Sequence, residues 1–332
     1  MLKKILILGS NSFSGNHLVS FLLKKQFSVI GCSLSNQSEE KFNTLSQLPK
    51  KLQNKYKFKK IDINKDFNKL KKLILKNKPN IIIDFLGQGM VAESWEHPYL
   101  TFNTNVLSKI KLYSFLLKQK FLKKYIKIST PEVFGSANIT SSSYKKYNPS
   151  TPYALSHATI ENYLLLLFKQ FSFPVIISRF ANFYGPYQKL YRVIPLAIHK
   201  ANRKEKFYLQ GGGTSKRSFL YSDDFCEGIY KMINTAKTGQ TYQFSSKEYL
   251  TIKKIVEMIY VKKNLIPKKY IINVKDRPGK DKDYKIYDKD TRKQLKWKNK
   301  TSIDKGIDKV IEWYEKYKNN FNQKDERFKI KI

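Results

Sequence analysis

Residues 150–157 read STPYALSH, with Tyr153 and His157 four places apart. In a helix that spacing puts both side chains on one face. A phenol ionises near pH 10 in water, so it acts as a base only where its surroundings lower that value. A neutral imidazole lowers it less than a fixed cation does, and a buried cationic histidine is costly. The pair therefore reads as a proton-transfer site in need of support. A second chemical signal opens the chain. Gly9-Ser-Asn-Ser12-Phe13-Ser-Gly15 follows a short apolar run and leads into an amphipathic segment. Glycines there let the backbone turn tightly and approach a pyrophosphate, while a helix start offers N–H donors and a positive dipole end. Ser12 stands where glycine is often found, and adds a hydroxyl.

Both signals need a scaffold, and the first half of the chain describes one. KKILILGS, FSVIGCS, YKFKKIDI, PNIIIDFLG, YIKIST and FPVIISRF read as six strands. Helical patterns alternate with them, two of them long, near 104–119 and 154–171. Strands separated by helices of that length imply an α/β, doubly wound parallel sheet. After about residue 185 the regularity breaks at NFYGPYQ, LQGGGTS and DRPGKD, which marks a smaller, loop-rich lobe. We divide the chain into 1–185, with returning segments near 216–247, and 186–332. The polar tail NNFNQKDERFKIKI reads as frayed.

Composition excludes several classes. No apolar run reaches the roughly 18 residues of a membrane span. MLKKILILGSNS has a leader's lysines and apolar stretch, but ILIL is only strand length, so the chain reads as cytoplasmic. Cys32 and Cys226 are too few for a disulfide framework, and the four histidines lack metal-ligand spacing. The net charge of +38 comes from lysines spread along the whole chain rather than gathered in a stripe. We read solvated faces, not a nucleic-acid groove; a general positive field still favours an anionic substrate. The stretch after strand two, GCSLSNQ, has neither an acid for ribose hydroxyls nor an arginine for a 2′-phosphate, so NAD and NADP both stay open, with NAD favoured. Asp62, closing strand three, is a candidate for the adenine edge or a helix cap. His17 reads as a helix-surface or packing residue rather than a ligand; Trp95, Tyr99 and Phe102 read as core or substrate contacts.

Seven motifs then fall in register: GSNSFSG; DFLGQGMVAESWEHP with TNV at 104–106; STPEVFG at 129–135; PSTPYALSH; SRFANFYGP at 178–186; RSFLYSDD at 217–224; and RPGKDKDYKI at 277–286. With them the chain resembles the extended short-chain dehydrogenase/reductases, a Rossmann-type family, and within it the sugar-nucleotide 4,6-dehydratases and epimerases. The resemblance runs from residue 5 to about residue 317 and implies an NAD(P)-dependent enzyme acting on a nucleotide-diphosphate sugar. It implies that Ser129 or Thr130 holds the sugar's 4-hydroxyl, that Tyr153 takes the proton of that hydroxyl, and that Glu132 removes the C5 proton. Gln88, Asn105, Ser129, Tyr153 and His157 would border the cofactor, together with Gly9, Ser12, Phe13, Gly15 and Asp62. Asn182, Arg217 and Arg277 would bind the nucleotide diphosphate. Because a C5 hydrogen is acidic only once C4 is a ketone, oxidation precedes loss of water across C5–C6, and hydride returns to C6. The family also implies a homodimer through the two long helices.

Two positions depart from the family pattern. Its lysine, four residues after the tyrosine, is His157, and its acid before the glutamate is Pro131. Three readings follow: a 4,6-dehydratase, a 4-epimerase that needs no C5 base, and a protein that binds sugar nucleotides without turnover.

Overall fold

The computed structural model describes residues 3–136, 147–276 and 285–330. Arg277 lies outside them. The strands in chain order are β1 (Lys4–Leu8), β2 (Ser28–Ser33), β3 (Lys57–Lys60), β4 (Ile81–Asp84), β5 (Lys124–Ser129), β6 (Val175–Phe180), β7 (Asn182–Tyr184), β8 (Phe207–Gln210), β9 (Lys216–Tyr221), β10 (Thr241–Phe244), β11 (Tyr249–Thr251) and β12 (Ile271–Val274).

Seven of them form one parallel sheet in the order β10-β6-β5-β4-β1-β2-β3. The central strands are nearly continuous runs of Ile, Leu and Val because helices cover both of their faces; β4 and β6 are buried at every position. The order reverses beside β1, and in such sheets the crevice for ligands opens there, beyond the carboxyl ends of the strands. The apolar run at the N-terminus is thus the middle of the sheet, paired to β2 on one side and β4 on the other.

Residues 241–244 return to this sheet beside β6, held by Phe180 stacked on Phe244 with ring centroids 4.3 Å apart. By contrast β9 joins β7 and β11 in a separate three-stranded sheet. A second core, around Leu190, Ile198, Ile259, Ile307 and Trp313, fills the remaining lobe. After that lobe the chain comes back once more: Trp297 is buried against the first core and donates from Nε1 to Asp224 O at 3.0 Å.

Two local differences from the sequence reading have physical causes. The helix expected near 104–119 is helical from Pro98 to Leu116, but Asn103–Leu107 is wound as a π-helix, a wider turn of the kind often found at functional sites. The tail is packed rather than frayed as far as Phe328. Asn322 and Asp325 form a reciprocal cap, Lys41 Nζ donates to Asp325 at 2.9 Å, and Phe328 meets Tyr191 edge-on at 5.3 Å. Its residues find partners far away in sequence, which composition alone does not reveal.

Candidate active site

One cleft of about 1070 Å³ lies at the carboxyl ends of the large sheet, between it and the second lobe. Gly9, Ser12, Phe13, Asp62, Gln88, Ser129, Thr130, Glu132, Tyr153, His157, Asn182 and Arg217 all line it. Gly15 and Asn105 stand one layer behind. A Cβ at Gly15 would lie 2.4 Å from Gly9 O, so the loop closes on itself only with glycine there. Asn105 is buried; its Oδ1 accepts from Gln88 N at 2.7 Å, and its Nδ2 donates to Gln88 O at 3.1 Å and to Ser156 Oγ at 3.0 Å. It shapes the loop that carries Gln88 instead of facing a ligand.

At the β1 end the site is made of backbone. Gly9 has a φ of +78°, and Ser12 caps the helix Phe13–Lys24 by accepting from Gly15 N at 3.0 Å. The first-turn N–H groups of Phe13 and Ser14 are then the donors that a helix start presents to an anion. His17 is a packing residue, as read. Its Nε2 lies 2.8 Å from Pro186 O and its ring meets Phe13 edge-on at 4.8 Å, tying this helix to the loop of the second lobe. Beyond β2 the wall is Ser33, Leu34, Ser35, Asn36, Gln37, Ser38 and Glu39, without a cation. Asp62 sits at the same end, its Oδ1 accepting from Asn64 N at 2.8 Å.

At the β5 end the site is made of side chains. Thr130 caps the short turn Pro131–Phe134, accepting from Glu132 N at 3.2 Å. Pro131 occupies the first position of that turn, where a missing N–H costs nothing and a fixed φ helps. It therefore delivers Glu132 to the cleft, while carrying no proton of its own. The helix Pro152–Phe171 brings Tyr153 and His157. It starts at a Thr151 cap and is fastened midway by the buried Glu161–Arg179 ion pair reaching β6. The two rings lie 4.7 Å apart, and His157 Nδ1 is 3.2 Å from Ser129 Oγ.

The electrostatics of this pair run against a simple base. Burial, reinforced by the Glu132 charge, raises the Tyr153 phenol above its ordinary value; a hydrogen bond to Thr130 and the Arg192 charge oppose this. Burial, then Lys127 and Lys109, hold the His157 imidazole well below its ordinary value, so it is neutral at pH 7. Those lysines belong to a buried cluster under the site. Asp84, at the end of β4, takes Lys109 on Oδ1 and the Tyr125 hydroxyl on Oδ2 at 2.7 Å, with Lys127 Nζ 3.6 Å from Oδ2. Burial alone would raise the Asp84 carboxyl; Lys109 and Lys127 outweigh it and hold the group at about 2. Burial brings the Lys109 ammonium down to about 8 although Asp84 supports it.

Sequence reasoning missed Lys127, Asp84, Lys109, Glu93, Tyr191, Arg192 and Phe328. A lysine inside the apolar run YIKIST was the available signal for Lys127. Glu93 lines the cleft with Oε2 buried and without a hydrogen-bond partner, next to Ser94, whose Oγ accepts from Tyr153 N at 3.2 Å. Trp95 and Tyr99 are exposed and line nothing, and Phe102 packs on the sheet core. Among the described residues no group of acids, histidines and cysteines has metal-site geometry.

Known proteins are similar to this chain in sequence and fold. The chain is 28% identical to human dTDP-D-glucose 4,6-dehydratase over 324 residues, covering 94% of this chain and 90% of that one. It is 25% identical to the dTDP-glucose 4,6-dehydratase of Salmonella typhimurium over 337 residues, covering 94% and 92%. The solved structure of dTDP-glucose 4,6-dehydratase from Bacillus anthracis, in complex with NAD, superposes with a TM-score of 0.84 at 26% identity, covering 96% of this chain and 98% of that one. The UDP-glucose 4-epimerase of Thermotoga maritima has the same fold, with a TM-score of 0.84 at 20% identity over 94% and 99%. The sequence profile of the GDP-mannose 4,6 dehydratases matches residues 6–310, and the chain belongs to that family.

Proposed function

We propose that this protein is an NAD-dependent nucleotide-sugar 4,6-dehydratase. The observation that carries the reading is Glu132, set by the Thr130–Pro131 turn on the same cleft wall as Thr130 and Tyr153 and close enough to perturb the phenol. A 4-epimerase has no need of a C5 base there. The family and the dehydratase relatives support the same choice.

The residues fit a dinucleotide. The cradle between Gly9 and Gly15 has no room for a side chain, and the helix start faces the cleft. Glu39 and the neutral residues before it disfavour a 2′-phosphate, which points to NAD rather than NADP. Bound NAD supplies reversible hydride transfer. The chain's own groups do the rest. Thr130 orients the sugar's 4-hydroxyl, and Tyr153, as phenolate, takes its proton. His157 and Ser129 hold one another at the edge of the cofactor site. Once C4 is a ketone, Glu132 removes the C5 proton, and the hydroxyl at C6 departs as water. The proton for that departure is assigned to Glu93, whose buried Oε2 has no other partner. Asn182 and Arg217, across the cleft, are assigned to the diphosphate.

The decisive experiment is mass spectrometry of the protein incubated with NAD or NADP and a panel of nucleotide-diphosphate sugars. A product lighter by one water is expected. A mass-neutral product with inverted C4 makes the protein an epimerase, and unchanged sugars make it a binding protein.

Two further readings concern the whole chain. Leu107 on one long helix and Leu155, Leu166 and Phe171 on the other are each 45–66% exposed, an apolar face suited to a two-fold homodimer. Sedimentation of the wild type against Leu166→Lys tests it; a monomeric wild type ends it. We place the protein in the cytoplasm. The leader-like run at 5–8 is a central strand that the fold needs, Cys32 and Cys226 are both free, and no described helix is long and apolar enough to cross a membrane. Loss of the protein from the soluble cytoplasmic fraction would overturn the placement.

A further inference from the structure

Neither residue of the tyrosine–histidine pair is a fixed cation; the Arg192 charge acts on the phenol, and Lys127 stands beneath the imidazole. Lys127 and Ser129 are two residues apart on β5, so their side chains leave the same face of the strand. Ser129 contacts His157, and Lys127 lines the cleft with both of them while being only 3% exposed. Among the described residues its one ion pair is with Asp84, at 3.6 Å. Asp84 is already engaged by Lys109, by the Tyr125 hydroxyl and by Leu86 N at 3.0 Å. The buried cluster thus holds two lysines against one carboxylate. A buried charge without an equal counter-charge is expensive, and this one opens on the place where a phenolate must form.

We propose that Lys127 is a positioning residue that supplies, from beneath His157, the fixed positive charge against which Tyr153 gives up and takes back its proton. The proposal rests on the dehydratase reading for its chemistry. A charge shielded from water acts over several ångströms with little screening, so it need not touch the phenol. The phenol itself faces Glu132, Thr130 and Arg192, and the His157 ring meets Ser129 and Tyr153. The charges that act on His157 are Lys127 on β5, Asp84 on β4 and Lys109 on the helix Ser108–Leu116. With two of these cationic, the imidazole stays neutral and serves as a hydrogen-bonding group. The site has moved its charge from the helix to the strand.

The test uses the full chain as Lys127→Met, Lys127→Arg, His157→Lys and the double variant Lys127→Met/His157→Lys. Lys127→Met leaves Asp84 paired with Lys109, so the fold keeps a balanced cluster. Only four histidines are present, and His157→Asn identifies the His157 signals in an NMR titration. In the wild type, the His157 titration should lie well below the ordinary value of about 6.5; in Lys127→Met it should climb toward that value. In turnover, Lys127→Met should lower kcat by about 30-fold or more with KM within about threefold, and move the alkaline rise of the pH profile upward, as removal of a charge aiding a general base requires. Lys127→Arg should keep most of the activity. His157→Lys alone should bring no gain, because it sets two cations together, yet in the Lys127→Met background it should restore at least tenfold. An unmoved His157 titration, an unshifted pH profile or the absence of rescue overturns the proposal. Absence of turnover in the wild type overturns the dehydratase reading instead, and the histidine titration still decides on Lys127.

Discussion

The two ends of the cleft are built from different materials. At the β1 end, backbone does the work: Gly9, Gly15 and a capped helix start form the cradle, and the side chains matter mainly by being small. At the β5 end, side chains from β4, β5, the turn Pro131–Phe134 and the helix Pro152–Phe171 converge, and every one carries a charge, a proton or a hydrogen bond. A backbone site keeps its shape whatever side chains drift around it. A side-chain site can exchange its parts, provided that charge and proton count stay in place. His157 and Pro131, the departures at catalytic positions, both lie at this second end, and it is here that Lys127 and Glu93 stand.

The comparison can be broken from either end. Tyr153→Phe should lower kcat by about 1,000-fold, within the range general bases contribute, and leave NAD affinity within about twofold by calorimetry. Loss of NAD binding would mean that the two ends are not separable. Glu132→Gln should cost about 100-fold in loss of water, read as product mass, while oxidation at C4 still registers as absorbance of the reduced cofactor in a single turnover. Equal loss of both steps would remove Glu132 from the C5 role. Gly15→Ala works on the other end. Its Cβ would crowd Gly9 O at 2.4 Å and Ser10 Cα at 2.9 Å, both backbone and unable to yield cheaply. An overpacking cost of about 1–3 kcal/mol should appear as NAD affinity weaker by at least about tenfold, with kcat at saturating NAD barely altered.

Two smaller effects sharpen the account of the β5 end. The Asp84 carboxyl is held at about 2, below its ordinary 3.8, so its ionised form stabilises the fold above about pH 4, and that contribution is lost as pH falls through about 2. The shift corresponds to about 2 kcal/mol. A carbon-13 titration of the carboxyl checks it; ionisation near 4 would show that the lysines do not act on Asp84. Glu93→Gln should reduce dehydration severalfold. Unchanged rates across pH would leave the departing hydroxyl to another donor.

How much was legible follows the same division. The phosphate loop was readable because backbone geometry writes itself as glycine spacing, GSNSFSG between a strand and a helix. Tyr153, Glu132 and Arg217 were legible as pieces of local motifs, and the cleft brings them together. Asn105 lay in a motif too, but in the widened turn Asn103–Leu107 its side chain holds the backbone of Gln88. The tail misled because its anchors, Asp325, Glu326 and Phe328, find partners far away in sequence, on Lys41, His199 and Tyr191.

The sequence by itself determined the strand–helix alternation, hence a parallel sheet, a crevice at its switch point and a glycine cradle in that crevice. Those features depend on periodicity and on conformations that few residues allow, and both are local properties. The tertiary structure alone decided which charges meet. Asp84, Lys109, Lys127 and His157 come from four elements, and the protonation of Asp84, Lys109 and His157 is set by burial and by the charges this brings together. Lysine is the commonest charge in this chain, so no spacing rule singles out one buried at the floor of the cleft. Only the folding of β4 against β5, beneath the helices that carry Lys109 and His157, makes it part of the site.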